Sequence, residues 1–273
     1  MIMLNIKSLL AVTITAALAL TSLHSAAAVE PDAAKPTVVL VHGAFAESSS
    51  WNGVAAQLLK QGYPVIAAAN PLRGVKQDSD YVADIVEHTA GPVVLVGHSY
   101  GGSVITNAVH DNPRVKALVY VAAFAPDKGE TAIELSGRYP GGTLGPTLAA
   151  AVQLKDGNKD LYIQQVKFGQ QFAADVPAAE SALMAATQRP ISEAALKEAS
   201  GEPAWKKLPS WFIYGSADKN IPEAALKFMA DRAGSKKTVT VQGASHVVMT
   251  SNPQKVTALI IEAAQASSAG SSR

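Results

Sequence analysis

The ten residues VVLVGHSYGG, at positions 93–102, decide how this chain folds. The first four are apolar and mostly branched, as expected of a short strand that is buried on both faces. Apolar residues then recur three or four positions apart between residues 102 and 110, a spacing typical of a helix. The stretch therefore predicts a strand, a sharp turn and a helix, with Ser99 at the apex of the turn.

The turn itself follows the Gly-x-Ser-x-Gly pattern of a nucleophile elbow, from Gly97 to Gly101. A serine at so sharp a turn needs neighbours without a Cβ atom, because the strand and the helix approach each other closely. Its hydroxyl then projects from the amino end of a helix, where free N–H groups favour developing negative charge. The pattern predicts that Ser99 is a catalytic nucleophile.

Similar apolar runs occur elsewhere and alternate with helical patterns. The further runs lie at 38–41, 64–69, 117–122, 211–214 and 238–241, and helical spacing appears at 51–61, at 78–87 and after Pro222 and Pro253. This alternation, with short connections, predicts an α/β fold with a mostly parallel central sheet flanked by helices.

The alternation stops between residues 122 and 211, where no run of residues predicts a strand. A structureless loop of that length is improbable in a folded domain, and several short helical patterns occur within it. We therefore predict an inserted helical lid at about 127–208. At the other end of the chain, residues from Ala264 onward are expected to fray.

The first 28 residues are predicted to be a signal peptide. Lys7 gives a basic start, positions 8–20 are almost entirely apolar, and small residues at 26–28 provide a cleavage site. The apolar stretch is shorter than the ~20 residues that a bilayer crossing needs, which disfavours an uncleaved anchor. Residues 29–273 then form the α/β domain, and we expect a periplasmic or secreted protein without stable membrane anchoring.

Composition narrows the range of partners. Of 273 residues, 48% are hydrophobic, the formal net charge is +1, and there is no cysteine. Basic residues are scattered, so nothing predicts nucleic-acid binding. The lack of cysteine excludes a thiolate nucleophile and a cysteine-bound metal, and we expect no metal and no cofactor. A small neutral or weakly polar molecule is the expected partner, and the oligomeric state stays open.

A serine nucleophile needs a general base, and His246 is the best candidate among the histidines. It lies in a loop after the last predicted strand, at the sheet edge where Ser99 also lies. Asp218 follows another strand at that edge and is the candidate that orients the imidazole. The order Ser, Asp, His is the one expected of such a fold. Asp127, which follows the run at 117–122, is the alternative acid.

A tetrahedral intermediate also needs two N–H donors. We expect one from Tyr100, directly after the nucleophile, and the other from Ala44, in the loop after the first strand. Only backbone groups are required, so the sequence assigns no chemical role to the Tyr100 side chain. Phe45 and His98, which flank these positions, are the candidate substrate-binding residues.

Four segments together carry a family resemblance: VVLVHGA at 38–44, VGHSYGG at 96–102, GSAD at 215–218 and GASH at 243–246. With them the chain resembles carboxylesterase-type serine hydrolases of the α/β-hydrolase superfamily, similar to bacterial homologues of the plant methylesterase and hydroxynitrile lyase group. The resemblance implies an acyl-serine mechanism without a cofactor, acting on a small-molecule ester. The plant lyases carry a lysine after the catalytic histidine, where this chain has Val247.

Two other functions stay open on the sequence. The same three side chains would serve a cofactor-free perhydrolase or haloperoxidase, and a fold of this kind can also become a non-catalytic binding protein for a small molecule. Apolar residues of the lid suggest a pocket for short acyl or aromatic esters, although apolar side chains at helical spacing more often form lid core. These residues are Tyr139, Phe168, Phe172 and Met184.

Overall fold

A computed structural model describes residues 35–109 and 111–269. The predicted signal peptide lies outside the described residues. In chain order the strands are β1 (Thr37–Val41), β2 (Val65–Ala68), β3 (Val93–His98), β4 (Val115–Val121), β5 (Val152–Gln153), β6 (Lys159–Leu161), β7 (Ile191–Ser192), β8 (Ser210–Gly215) and β9 (Lys237–Val241).

The helices fall between these strands in the pattern expected of an α/β fold. They are α1 (Asn52–Lys60), α2 (Val75–Glu87), α3 (Tyr100–Asn107), α4 (Ala132–Gly137), α5 (Gln165–Phe172), α6 (Ala178–Thr187), α7 (Glu193–Lys197), α8 (Glu223–Arg232), α9 (Val248–Ser251) and α10 (Pro253–Ala269). Helix α10 continues past Ala264, which is buried, so the expectation of a frayed end is wrong as far as Ala269.

Six strands form one parallel sheet in the order β2-β1-β3-β4-β8-β9. Every residue of β1, β3 and β8 is buried, as their continuous apolar sequences require of strands covered on both faces. Helix α1 packs against α10, and α2 packs against α3, so helices flank the sheet. The predicted α/β fold with a mostly parallel central sheet is confirmed.

The sheet topology explains where a site can form. The chain leaves β1 for β2 on one side and crosses to β3 on the other, and all six strands point the same way. Loops that follow parallel strands meet at the carboxyl edge, and a crevice opens where the strand order reverses. The segments after β1, β3, β8 and β9 therefore converge.

The insert between β4 and β8 is less helical than the sequence predicts. It contains α4 to α7, but also a three-stranded antiparallel sheet in the order β5-β6-β7. These strands have only two or three residues each, too few to show an alternating pattern. The Gln188 side chain stabilises the insert, since its Nε2 and Oε1 bond the carbonyl and N–H of Ile163, each at 2.9 Å.

Candidate active site

Ser99 occupies a strained turn between β3 and α3. Its φ of 52° lies in the left-handed region, which a non-glycine residue adopts only where the surroundings enforce it. A Cβ atom on Gly97 would come within 2.5 Å of the Gly101 carbonyl oxygen, so the elbow requires glycine there. The loop after β1 approaches equally closely, because a Cβ on Gly43 would lie 2.6 Å from Cβ of Ser99.

Three side chains that the sequence singles out form a continuous chain of hydrogen bonds. The Ser99 hydroxyl lies 2.9 Å from Nε2 of His246, and Nδ1 of the same ring lies 2.6 Å from Oδ2 of Asp218. All three side chains are buried. With Nδ1 donating to the carboxylate, Nε2 is left as an acceptor for the serine proton.

The carboxylate of Asp218 is held by the backbone that follows it. Its Oδ1 accepts the N–H groups of Asn220 at 2.8 Å and of Ile221 at 3.0 Å, which leaves Oδ2 directed at the imidazole. The alternative acid, Asp127, is bonded instead to the Lys206 ammonium, which lowers the pKa of that carboxyl below its usual value. The structure therefore brings Asp218 to His246 and leaves Asp127 at the boundary of the insert.

The two expected N–H donors lie beside the nucleophile. Tyr100 is the first residue of α3, and Gly43 of the loop after β1 approaches its nitrogen so closely that a Cβ there would lie 3.1 Å away. Within the part of the chain that the structure describes, neither the N–H of Ala44 nor that of Tyr100 donates to another protein group. Both are free to bind an oxygen that develops negative charge at Ser99.

His98 does not present a surface to a substrate. Its ring is fully buried against Trp51 and Phe172, and its Nε2 donates to the carbonyl of His246 at 3.2 Å. Burial lowers the pKa of His98 well below its usual value, so this ring stays neutral. The structure thus assigns His98 to packing behind His246, which corrects its place among the substrate-binding candidates.

Phe45 lies at a cleft of about 340 Å³ between the loop after β1 and helix α6. Met184 of α6 lines the same cleft, whereas Phe168 and Phe172 are buried and Tyr139 packs against Phe228. Phe45 contacts Phe172 edge to face, and Phe172 in turn lies 5.0 Å from the His246 ring. The Phe45 and Phe172 rings therefore lie between this cleft and His246, and none of Ser99, His246 and Asp218 lines the cleft itself.

Two hydrogen bonds near the catalytic candidates are not predicted by the sequence. Ser245, next to His246, bonds Asp175 of the insert at 2.5 Å, and the Tyr100 phenol donates to Asp78 of α2 at 2.8 Å. Asp78 carries a visible signal, because it lies on the apolar face of α2 where a carboxylate is unexpected. Ser245 and Asp175 carry none.

Residues 35–109 and 111–269 lack a membrane-spanning helix and a cluster of metal-binding side chains. No helix in these ranges combines the length and apolar character that crossing a membrane requires. The same ranges contain no cluster of three or more His, Cys, Asp or Glu residues able to hold a metal ion.

Known proteins resemble this chain over most of its length. An alpha-hydroxynitrile lyase of Arabidopsis thaliana is 27% identical over 240 residues, which cover 80% of this chain and 93% of the lyase. Salicylic acid-binding protein 2 of Nicotiana tabacum is 26% identical over 249 residues, 83% of this chain and 96% of that protein. The crystal structure of polyneuridine aldehyde esterase superposes with a TM-score of 0.72 at 18% identity, covering 84% and 98% of the two chains, a likeness of fold.

A family model is matched by most of the chain. The model described as the alpha/beta hydrolase family aligns with residues 38–259, from the first strand into the last helix. The resemblance to the methylesterase and hydroxynitrile lyase group is likewise confirmed by the relatives. This chain belongs to the alpha/beta hydrolase family.

Proposed function

We propose that this protein is a carboxylesterase that hydrolyses small esters through an acyl-serine intermediate. The observation that carries the proposal is the chain of hydrogen bonds from Ser99 through His246 to Asp218, at 2.9 and 2.6 Å. Such a chain supplies a nucleophile, a base that reaches it and an acid that orients the base. The open N–H groups of Ala44 and Tyr100 add the donors that acyl transfer requires.

The mechanism follows from these positions. Ser99 attacks the ester carbonyl while Nε2 of His246 takes its proton, and the carbonyl oxygen becomes an oxyanion bound by the two N–H groups. Collapse of the tetrahedral intermediate breaks the bond to the alcohol, which receives the proton from His246. Water then attacks the acyl-serine with His246 again as base, and the acid and free Ser99 are released. Asp218 stabilises the imidazolium in both halves.

We propose that the acyl or alkyl group of the ester binds in the cleft at Phe45, which the Phe45 and Phe172 rings connect to His246, and the lining of this cleft favours uncharged esters. Phe45, Leu183 and Met184 give it apolar walls, and the ionisable residues among those that line it are Glu47 and Glu180. Carboxylates in a shallow cleft repel a substrate that carries its own carboxylate, while apolar walls bind a short acyl or alkyl group. We therefore propose neutral small esters as the substrate class. We also propose export to the periplasm or medium, because the sequence of residues 1–28 is typical of a signal peptide.

The test is hydrolysis of p-nitrophenyl acetate by the wild-type protein and by Ser99→Ala. Removing the nucleophile is expected to lower kcat by about 10⁴-fold or more, as in serine hydrolases generally. Ser103→Ala is the matched control, because Ser103 is a buried serine of α3, four residues after Ser99, and its hydroxyl has no hydrogen-bond partner in the described structure. It is expected to retain wild-type activity.

Other outcomes favour other functions. A wild-type protein as inert as Ser99→Ala toward several p-nitrophenyl esters contradicts the proposal. Peroxide-dependent bromination or cleavage of a cyanohydrin by the same sample then supports a perhydrolase or a lyase. Binding of esters without turnover supports a non-catalytic binding protein.

A further inference from the structure

A buried hydrogen bond connects the nucleophile elbow to helix α2. The phenol of Tyr100 donates to Oδ2 of Asp78 at 2.8 Å, and both side chains are fully buried. Asp78 lies on the buried face of α2, between Val75 and Val82. A carboxylate on such a face costs free energy unless its oxygens accept hydrogen bonds, so this pair demands a reason beyond packing.

The remaining acceptors of Asp78 are filled by the chain that enters α2. The N–H of Arg73 lies 3.1 Å from each carboxylate oxygen, and that of Gly74 lies 3.4 Å from Oδ2. Burial raises the pKa of Asp78 above its ordinary value, whereas the bonds from Arg73 and Tyr100 act in the opposite direction. Asp78 therefore fixes residues 73–74 relative to Tyr100.

Residues 73–76, at the start of α2, are also bonded to the insert. The Arg73 guanidinium bonds Oδ1 of Asp160 in β6 at 2.6 Å and the carbonyl of Pro190 at 3.1 Å. Glu198, just after α7, accepts the N–H groups of Val75 at 2.6 Å and Lys76 at 3.1 Å. A carboxylate at the amino end of α2 is well placed to satisfy those groups. The insert is thus bonded to α2 directly beside Asp78.

The insert is also bonded to the loop that carries Ala44. The carbonyl of Arg189 accepts the N–H of Phe45 at 2.9 Å. Adjacent insert residues, Arg189 and Pro190, therefore contact both sides of the candidate oxyanion site. One contact reaches the neighbour of Ala44 directly, and the other reaches Tyr100 through Arg73 and Asp78.

We propose that Asp78 is a positioning residue for the oxyanion site. By holding the Tyr100 phenol it fixes the backbone N–H of Tyr100 where the oxyanion forms, and through Arg73 it makes that position depend on the seated insert. The inference rests on the proposed esterase function. It adds no chemical step, since Asp78 acts on the stability of the tetrahedral intermediate and touches no reacting atom.

Tyr100→Phe is the first variant to test, with Tyr120→Phe as the matched control. Tyr120 of β4 is also a fully buried tyrosine, and its hydroxyl lies 2.8 Å from Oγ1 of Thr106. Each variant removes one buried hydroxyl and one hydrogen bond. Each is expected to lower Tm by a few degrees, about equally for the two variants.

The kinetic constants should separate the two variants. Complete loss of an oxyanion donor costs about 10²–10³-fold in kcat, so a displaced donor is expected to cost about 10-fold. Tyr100→Phe should show this loss in kcat for p-nitrophenyl acetate, with KM changed less than about 2-fold because ground-state binding does not use the oxyanion contacts. Tyr120→Phe should keep the wild-type kcat.

Inhibitors give a readout that a merely structural role would not change. A trifluoromethyl ketone forms a tetrahedral adduct with the serine, whereas the matching methyl ketone binds largely as the free ketone. Tyr100→Phe should weaken the first inhibitor by the same factor as kcat/KM and leave the second unchanged. Asp78→Asn should do likewise, and the double variant should lose little more than the worse single variant, because both act on one contact.

Each result decides the proposal. Equal kcat and equal adduct affinity for Tyr100→Phe and Tyr120→Phe would mean that the Tyr100 to Asp78 bond only packs the core. If Tyr100→Phe does not fold, an unchanged kcat in Asp78→Asn overturns the proposal in the same way. A wild-type protein that neither hydrolyses esters nor binds the trifluoromethyl ketone overturns the esterase function itself, and this inference with it.

Discussion

The central sheet and the insert both bury apolar side chains, but they differ in how much individual polar contacts add to this burial. The strands β1, β3 and β8 are buried along their whole length and belong to one six-stranded parallel sheet. The insert also buries apolar side chains, such as Phe168 and Ile191, but its strands have two or three residues, and individual polar contacts, such as Arg73 with Asp160, add to its attachment. Apolar burial is collective, whereas each polar contact is separate. Changes to buried residues of the sheet should therefore affect global stability, and changes to exposed insert residues at the cleft should affect substrate handling.

The test with the largest expected effect compares Asp218, at the sheet edge, with Asp127, at the boundary of the insert. Asp218→Asn is expected to lower kcat by about 10⁴-fold, the size seen when a serine-protease triad aspartate becomes asparagine, because the imidazole then takes the wrong tautomer. Asp127→Asn should keep kcat, since its partner is Lys206. Steady-state kinetics on p-nitrophenyl acetate decide between them, and equal losses would contradict the assignment of the acid.

Replacing a buried leucine of the sheet should lower the free energy of unfolding much more than replacing an exposed leucine of the insert. Leu118 is fully buried in β4, so Leu118→Ala is expected to lower the free energy of unfolding by about 2–5 kcal/mol. Leu183 of α6 is 64% exposed and lines the cleft at Phe45, so Leu183→Ala should change stability by less than about 0.5 kcal/mol.

Urea denaturation measures the free energy of unfolding of both variants, and KM for a short ester measures the contribution of Leu183 to substrate binding. We expect KM to rise in Leu183→Ala with kcat unchanged, because the variant loses apolar contact without touching the reacting atoms. A large loss of stability in this variant would mean that the Leu183 side chain packs into the buried core. Wild-type KM would remove Leu183 from the substrate site.

Acid should destabilise the folded protein through a buried histidine at the sheet edge. Burial lowers the pKa of His42 from 6.5 to about 4. Between pH 6.5 and pH 4 the His42 imidazole therefore binds a proton in the unfolded chain but stays neutral in the folded chain. Its contribution to stability is fully present above pH 6.5 and declines as the pH falls toward 4. A shift of this size corresponds to about 3 kcal/mol.

The measurement is urea denaturation from pH 7.5 down to pH 4, with His42→Asn beside the wild type. The variant should have a shallower decline, whatever its absolute stability. His88→Asn is the control, because His88 is exposed at the end of α2, and it should keep the wild-type decline. Equal slopes for wild type and His42→Asn would show that other groups cause the acid sensitivity.

The smallest expected effect concerns the bond between Arg73 and the insert. Arg73→Ala removes the partly buried ion pair with Asp160 and is expected to cost about 1 kcal/mol of stability. It should also raise KM a few-fold, because the insert lines the cleft. Lys76→Ala removes an exposed ion pair from the same helix entry and should change neither value. Identical results for the two variants would contradict a specific contact.

The sheet was predictable because each central strand is a continuous apolar run. The elbow was predictable because its motif lies between such a run and a helical pattern, which is the setting that a nucleophile elbow requires. His246 and Asp218 followed from their positions after strands of the same sheet. The strands β5 to β7 were not predictable, since two or three residues show no period. Nor was the burial of His98, which the structure includes in β3 and packs against Trp51.

The bond between Tyr100 and Asp78 illustrates the same limit. The residues are 22 positions apart, and no local pattern connects them. What the sequence does show is one aspartate on the apolar face of α2, three residues after Val75 and four before Val82. A charged residue on such a face indicates a buried partner without identifying it.

The hydrogen bond from Ser99 to His246 joins residues 147 positions apart, and this spacing has a consequence for synthesis. Strands β1 to β4 leave the ribosome first and can pair with one another, whereas β8 and β9 are added after the insert. Until β9 and its following loop dock, the serine has no base. If the proposed esterase function holds, the growing chain is therefore inert toward esters until these last segments have docked.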